Sequence, residues 1–257
     1  MNEFNAKKTT EALINWIKDW FNKNGKDCNA IIGISGGKDS NIVAALCVRA
    51  LGKDRVIGIS MPNTLQSSNI EQYEDDKHIK MLVDLLGIKH FEANITPVYS
   101  QFTLGMNKAT KWDLEITEQT RINLSPRIRM SMLYAFSQSL NGRVVNTDNL
   151  SENHIGYFTK WGNVGDVSPL ANLTVTEIKA IGRELGLPNA LIDKVPNDGL
   201  SGKTDEENFG FSYEVLDKYI RTGVCDDAEI KEKIDNRHNN NLFKLQPVES
   251  FKNVFFN

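Results

Sequence analysis

The chain has 257 residues, enough for one α/β unit with a substantial buried core or at most two small domains. Its 30 Lys and Arg residues against 33 Asp and Glu residues give a net charge of −3, which disfavours general binding to a nucleic-acid backbone. With 40% hydrophobic and 25% charged residues, the composition is typical of globular proteins and excludes the disordered and fibrous classes.

Cysteine usage and the N-terminal sequence predict the compartment. Cys28, Cys47 and Cys225 form no CxxC pair and are too few for a disulfide framework, which favours a reducing compartment. The N-terminal residues contain no signal-peptide pattern, and no apolar run reaches membrane-spanning length. The sequence therefore predicts a cytoplasmic protein without a membrane partner.

The first part of the chain alternates predicted helices with predicted strands. An amphipathic helix carrying Leu13, Ile17 and Phe21 ends at Gly25. Short apolar runs predict strands at 30–34, 56–61, 90–94 and 143–146, and helical patterns cover 42–50, 70–86 and 128–140. The stretch from Pro97 to about Asn123 is less patterned.

This alternation favours a parallel sheet with helices on both faces. Ligands of such sheets bind beyond the carboxyl ends of the strands. The loops after Ile34, Met61 and Asn146 are therefore expected along one edge, while the strand order stays open.

The remaining chain predicts long loops and three helices. Residues 150–169 are rich in Gly, Asn and Asp and indicate an irregular functional loop. Thr174 and Glu177 have capping-box spacing and predict a helix that ends at Gly186. A second Gly- and Asp-rich loop follows, and then a helical pair from about Tyr213 to Asn236. One domain over residues 1–257 is the simplest interpretation.

The strongest motif is GISGGKDS, from Gly33 to Ser40. After a buried strand, its glycines allow a tight turn that directs backbone N–H groups and the start of the next helix toward an anion. Ile32 and Asp39 stand where a Walker A loop requires Gly and Ser or Thr, and no GxGxxG is present.

Asp39 beside bound phosphates would repel them unless a divalent cation lay between, so this position indicates a Mg²⁺ ligand. The alternative is an ordinary glycine turn with an N-capping Asp or Ser. That alternative would be favoured for a bare Gly-Gly pair, but the complete string after an apolar strand favours the phosphate site.

The SGGxDS string after a buried strand resembles the fingerprint of the PP-loop ATP pyrophosphatases. The resemblance implies their fold, also described as adenine nucleotide alpha hydrolase-like, and attack of a substrate oxygen on the α-phosphorus of ATP. Taken alone, it leaves open GMP, asparagine, argininosuccinate and NAD synthetases and the tRNA-modifying members.

Four further blocks narrow the choice. PRIRM at 126–130, NTDNLSE at 146–152, GYFTKWG at 156–162 and GDVSPL at 165–170 resemble, in order and spacing, the blocks of ammonia-dependent NAD synthetases. The likeness extends over nearly the whole chain, from the N-terminal helix to the loop near residue 202.

The resemblance implies specific residue roles. Its ATP-binding residues would be Gly33, Ile34, Ser35, Gly36, Gly37, Lys38, Asp39, Ser40, Thr147 and Asn197. Asp39 and Glu152 would bind Mg²⁺, and Arg127, Lys160 and Asp166 would bind deamido-NAD. The residue types agree, because Arg and Lys suit phosphate or carboxylate groups and paired carboxylates suit Mg²⁺.

Three positions depart from the family pattern. Val175 stands where many members carry a phosphate-binding Lys, Asn197 where many have Thr or Ser, and Ser60 where an Arg often precedes the end of the second strand. Lys38, Lys194 and Lys203 are candidate replacements for the missing cations.

The implied reaction has two steps. The nicotinate carboxylate of deamido-NAD attacks MgATP to form an acyl-adenylate and pyrophosphate, and ammonia then gives NAD and AMP. The resemblance also implies a homodimer. Two alternatives remain: another PP-loop ligase or tRNA modifier, which the acidic composition disfavours, and a nucleotide-binding regulator without catalysis, motivated by the three departures.

Overall fold

A computed structural model describes residues 4–66, 69–108, 116–194 and 204–251, with the side chains of 69–72 excluded. The predicted strands are confirmed and lie at Asn29–Gly33 (β1), Val56–Ser60 (β2), Lys89–Glu92 (β3) and Gly142–Val144 (β4). All pairings are parallel, in the order β3-β2-β1-β4. The predicted α/β class with a parallel, helix-flanked sheet is therefore confirmed.

Helices separate and follow these strands. The first five are Ala6–Asn24 (α1), Lys38–Leu51 (α2), Asn69–Leu86 (α3), Thr96–Lys108 (α4) and Glu118–Ser139 (α5). The later ones are Leu150–His154 (α6), Val175–Glu184 (α7), Asn189–Ile192 (α8), Asp205–Phe209 (α9), Tyr213–Thr222 (α10) and Ala228–Leu245 (α11).

The apolar strands bury side chains on both sheet faces. Ala30 and Ile32 of β1 pack in a cluster with residues of α1, α2, α7 and α8. Ile31, which lies opposite Ile57 of β2 and Val144 of β4, points the other way into a cluster with α4 and α5. This alternation gives three layers, helices on each side of a sheet that is buried on both faces.

Strand order places a topological switch beside β1. The chain passes from β1 to β2 on one side, whereas β4 pairs with β1 on the other side. In open parallel sheets, ligands bind at the carboxyl ends of strands where the winding direction reverses. The loops after β1 and β4 meet at this position.

Several predictions of irregular structure were wrong. The stretch after Pro97 contains α4, and α5 begins at Glu118, ten residues before the predicted start at Ile128. The helix α4 buries little apolar surface, since Val98, Phe102 and Leu104 are exposed, and Gly105 inside it lowers its helix propensity. A proline inside α5, at Pro126, weakened its pattern further.

Short helices also lie within the two predicted loops. α6 follows β4 because Asn149 caps it, accepting a hydrogen bond from the Glu152 N–H at 2.9 Å. The predicted capping box of Thr174 and Glu177 is confirmed at the start of α7. The final helical pair is confirmed as α10 and α11, with α11 nine residues longer than predicted.

Candidate active site

The GISGGKDS loop turns at Gly36, which has a φ of 75°. A Cβ at Gly36 would lie 3.0 Å from the Asp75 carbonyl oxygen, so this position requires glycine for both its conformation and its space. The Ser40 hydroxyl donates to the Gly37 carbonyl at 2.9 Å, and Asn41 donates to the Leu191 carbonyl at 2.9 Å. The loop is therefore held closed and attached to α8.

The start of α2 faces the carboxyl edge of the sheet. Gly37 is the N-cap and provides no side chain to accept from the first N–H groups of the helix. These N–H groups and the positive end of the helix dipole suit a phosphate group. Ile34 and Ser40 are buried beneath the loop, so their contribution is to its shape.

Asp39 and Glu152 are brought together around Lys38. The Lys38 ammonium lies 2.9 Å from Asp39 Oδ2 and 3.9 Å from Glu152 Oε1. The second oxygen of Asp39, Oδ1, is buried and has no hydrogen-bond partner. A carboxylate at the start of α2, which follows β1, thus meets one from α6, which follows β4, as the parallel topology predicts.

The electrostatics of this cluster follow from its burial. Burial, together with the charge of Asp39, raises the pKa of Glu152 well above its usual range. Burial opposes the charge of Lys38, but Asp39 and Glu152 outweigh it and hold the Lys38 pKa above its usual value. The site therefore has excess negative potential and favours a multivalent cation.

Thr147 lies on the same edge, two residues beyond Val145, whose N–H donates to the Ile31 carbonyl at 2.9 Å. Its own N–H donates to Asn146 Oδ1 at 2.8 Å. Asn197 and Lys203 lie outside the described residues. Lys194 forms an ion pair with Asp75, which borders Gly36.

Arg127 and Lys160 come together in a second, more exposed region. Arg127 Nε donates to the Lys160 carbonyl at 3.3 Å. The Lys160 ammonium donates to the Phe243 carbonyl at 2.8 Å and lies over the rings of Trp161 and Phe243. Lys160 therefore contacts the C-terminal end of α11, and Arg127 contacts the backbone that carries Lys160.

Asp166 has different neighbours from Arg127 and Lys160. Its Oδ2 accepts the Val144 N–H of β4 at 2.8 Å, and its Oδ1 accepts the Tyr134 hydroxyl at 3.4 Å. An open cavity of about 260 Å³ lies here, lined by Tyr134, Arg143 and Asp166 among others. The structure therefore divides the three predicted deamido-NAD contacts between two places.

The segment 154–160 is fastened by α11. The Lys244 ammonium donates to the carbonyls of Gly156 at 2.7 Å and Phe158 at 3.1 Å. His238 Nδ1 lies 2.7 Å from the His154 carbonyl, and the two imidazole rings stack at 4.2 Å. α11 therefore positions the backbone that carries Lys160.

Sequence reasoning missed three side chains at this edge. Asp148 is buried, accepts from Asn163 at 2.7 Å and from Asn146 at 3.2 Å, and has its pKa raised to about 6, chiefly by burial. Arg129 donates to the Met61 carbonyl at 3.0 Å, beyond the end of β2. The sequence signal that could have indicated them was their place in the motifs, Asp148 in NTDNLSE and Arg129 in PRIRM.

The third missed side chain is Tyr213, whose ring lies 5.5 Å from the Lys38 ammonium. Its hydroxyl donates to Asp205 at 3.1 Å, and burial raises its pKa. Tyr213 is 175 residues from Lys38 along the chain, so no local pattern could have indicated this contact.

Comparison with known proteins agrees with this geometry. The family model described as NAD synthase matches residues 9–254. The chain belongs to the NAD synthase family. It is therefore a ligase that forms a carbon–nitrogen bond, as predicted, and the expected PP-loop fold is confirmed.

Individual members of the NAD synthase family are similar over most of their length. The NH₃-dependent NAD⁺ synthetase of Methanococcus aeolicus is 40% identical over 221 residues, covering 84% of this chain and 82% of that protein. The structure of NMN synthetase from Francisella tularensis has a TM-score of 0.84 and 30% identity, covering 96% of this chain and 99% of that one.

An NH₃-dependent NAD synthetase from Campylobacter jejuni, solved with nitrate, has a TM-score of 0.74 and 28% identity over 97% of this chain and 100% of that one. Val175, expected to depart from the family's phosphate-binding Lys, has a structural role in this chain. Its side chain is buried in an apolar cluster with Phe209, Phe211 and Tyr213. Position 175 therefore supplies core packing in this chain.

None of the helices within the described ranges combines the length and apolarity that a bilayer crossing requires.

Proposed function

We propose that this chain uses ATP to convert the nicotinate carboxylate of deamido-NAD into the amide of NAD, with ammonia as the nitrogen source. The observation that carries the proposal is the glycine loop and open helix start beside the Asp39–Glu152 pair, at the switch point of the sheet. Membership of the NAD synthase family connects this geometry with that reaction.

The donor set fits Mg²⁺. Asp39 Oδ1 is a buried carboxylate oxygen without a partner, and Glu152 offers a second carboxylate a short distance away. No group of three His, Cys, Asp or Glu side chains converges in the described part of the chain. Two carboxylates completed by substrate phosphates and water are a usual Mg²⁺ arrangement. When bound, Mg²⁺ supplies charge neutralisation at the phosphate oxygens.

The chemistry requires no nucleophilic side chain. A carboxylate oxygen of the substrate attacks the α-phosphorus, the bond to the β-phosphate oxygen breaks, and pyrophosphate leaves with the electron pair. Ammonia then attacks the acyl carbon, AMP leaves, and one proton is released. The backbone N–H groups of 35–40 and the α2 dipole would stabilise charge on the phosphates, and holding two large substrates in line supplies much of the acceleration.

Arg127, Lys160 and Asp166 are proposed to bind deamido-NAD. Their different surroundings suit a long dinucleotide better than a single small group, because Lys160 contacts α11 and Arg127 contacts the Lys160 backbone, whereas Asp166 lies beside β4. A homodimer would bring residues of a second copy to these exposed positions. Thr147 and Asn197 are proposed contacts of ATP.

A second candidate substrate is nicotinate mononucleotide, which carries the same carboxylate without the adenylate half. The specific observation in its favour is the TM-score of 0.84 with an NMN synthetase structure. The relatives with higher sequence identity are named NAD synthetases, which favours deamido-NAD.

The test compares both substrates in one assay. Purified protein is given MgATP with deamido-NAD or nicotinate mononucleotide, and either ammonium or glutamine, while amide product and AMP are measured together. We expect equal amounts of NAD and AMP with deamido-NAD and ammonium. Preference for the mononucleotide would reassign the substrate, and ATP binding in calorimetry without AMP formation would support a regulator.

A further inference from the structure

Lys38 occupies an unusual position for a lysine. Its side chain is only 3% exposed, although it begins at the phosphate loop and ends among charged groups. Its ammonium contacts Asp39 at 2.9 Å, approaches Glu152 at 3.9 Å and lies over the Tyr213 ring at 5.5 Å. Lysines are rarely buried to this extent unless they are paired, so the two carboxylates keep the ammonium in place.

The same two carboxylates are the proposed Mg²⁺ ligands. An ammonium group a few ångströms from a divalent cation repels it, and burial strengthens that repulsion relative to water. Mg²⁺ also requires closely ideal oxygen geometry, which a side chain hydrogen-bonded to one of those oxygens disturbs. Lys38 and the metal therefore compete for Asp39 and Glu152 in the absence of nucleotide.

Nucleotide binding would give the ammonium another partner. Lys38 is the first residue of α2, so its backbone adjoins the N–H groups proposed to bind the phosphates. A flexible four-carbon side chain can move between a carboxylate and a phosphate oxygen without moving the backbone. Tyr213 and its partner Asp205 form one wall of the space occupied by the ammonium, which limits the other directions it can take.

We propose that Lys38 is a tethered competitor of the divalent cation, which pairs with Asp39 and Glu152 in the free protein and releases them when ATP phosphates arrive. It thereby makes metal binding depend on nucleotide binding. This inference rests on the proposed function, because the phosphate and Mg²⁺ assignments come from there. By linkage, the metal must strengthen nucleotide binding by the same factor.

The experiment is a Mn²⁺ titration followed by electron paramagnetic resonance of the free ion, with and without α,β-methylene-ATP. The variants are Lys38→Gln, which removes the charge, and Lys38→Arg, which retains it. Lys179→Gln is the matched control, because it removes an ammonium that lies 3.8 Å from the Asp193 carboxylate of an ordinary ion pair. Glu152→Gln shows whether Mn²⁺ binds at this site.

We expect Lys38→Gln to bind Mn²⁺ without nucleotide on the order of tenfold more tightly than the unmodified protein, as loss of one nearby positive charge requires. The enhancement of Mn²⁺ affinity by nucleotide should shrink in Lys38→Gln and persist in Lys38→Arg and Lys179→Gln. If Lys38 merely supported the structure, Lys38→Gln would bind Mn²⁺ more weakly.

Unchanged or weaker Mn²⁺ binding by Lys38→Gln would overturn the inference, as would binding that Glu152→Gln leaves intact. If Lys38→Gln unfolds, Lys38→Met keeps a long unbranched side chain without the charge, and the same comparison applies. The titration uses no nicotinate substrate, so its outcome is separate from the function. If the protein forms NAD but Lys38→Gln does not bind Mn²⁺ more tightly than the unmodified protein, only the inference on Lys38 is wrong. If Lys38→Gln binds Mn²⁺ more tightly but no NAD forms, only the proposed function is wrong.

Discussion

The edge of the sheet that carries the Gly33–Ser40 loop and Glu152, here called the phosphate edge, is built differently from the region around Lys160. At the phosphate edge, Asp39 and Glu152 come from the first turns of the helices that follow two adjacent strands, and a buried lysine and a helix cap hold them. Around Lys160, the described side-chain hydrogen bonds of Arg127 and Lys160 go to backbone carbonyls, and α11 holds the segment from outside the sheet.

This difference indicates which part of the site is ready before substrate arrives. Buried and mutually paired groups keep their geometry in the free protein, whereas exposed cations on carbonyl oxygens can exchange those partners for a stronger anionic one. We therefore expect ATP and metal to meet carboxylates that are already in place, with the Lys38 side chain as the group that moves. We expect deamido-NAD, by contrast, to meet cations that its own phosphates and carboxylate reorganise.

The largest expected effect comes from breaking the phosphate edge. Asp39→Ala removes a proposed metal ligand and leaves Lys38 with one carboxylate fewer, so we expect kcat for NAD formation to fall by on the order of 10³-fold. The matched control is Asp54→Ala, an exposed carboxylate after α2 that should retain activity. Substantial activity in Asp39→Ala would contradict the assignment of the metal site.

A smaller effect is expected from the second region. Arg127→Ala should raise the KM for deamido-NAD by about 10- to 100-fold, the loss of a charge-assisted hydrogen bond, with the affinity for ATP unchanged. Arg121→Ala alters an exposed arginine on the same helix and should leave both unchanged. Weaker ATP binding in Arg127→Ala would show that the two regions are not separate.

The attachment of α11 can be tested through stability. Gly156→Ala places a Cβ 2.1 Å from the Asn241 Cβ at a φ of 65°, so we expect the free energy of unfolding to fall by about 2–4 kcal/mol. At Gly186 the φ is 77° but no atom lies within 4 Å, so Gly186→Ala should cost about 1–2 kcal/mol. Urea unfolding of both variants separates the cost of the contact with Asn241 from the cost of the backbone conformation. Equal losses of unfolding free energy in the two variants would show that α11 does not pack tightly against Gly156.

The smallest effect concerns pH at the same attachment. Burial and then the neighbouring His238 lower the pKa of His154, whereas Asp235 acts in the opposite direction. The unfolded chain therefore binds a proton more readily, and this contribution to stability is present above about pH 6.5 and lost as the pH falls. In His154→Gln, the unfolding free energy should decrease less between about pH 7 and pH 5 than in the unmodified protein. An unchanged decrease would show that other groups cause the pH dependence.

The strands and the phosphate edge were predictable because their signals are local. Buried apolar runs indicated the strands, and a glycine string after one of them indicated the loop. Position in a parallel sheet then brought Asp39 and Glu152 to one edge. α4 escaped prediction because Gly105 inside it lowers its helix propensity.

Sequence patterns could not predict contacts between residues that are distant along the chain. Ser151 donates to Asp217 of α10, and Asp217 accepts from the N–H and hydroxyl of Thr176 at 2.7 Å. This buried network joins α6, which carries Glu152, to α7 and α10. Each of these residues is unremarkable by itself, and only the folded chain shows that together they position a proposed metal ligand.

The central claim is that the sheet edge activates a carboxylate at the α-phosphorus of ATP. The most direct measurement uses deamido-NAD labelled with ¹⁸O in its nicotinate carboxylate, with MgATP and ammonium, and mass spectrometry of the nucleotide products. The account predicts one ¹⁸O atom in the AMP for each NAD formed. Unlabelled AMP, or ADP and inorganic phosphate in its place, would contradict it.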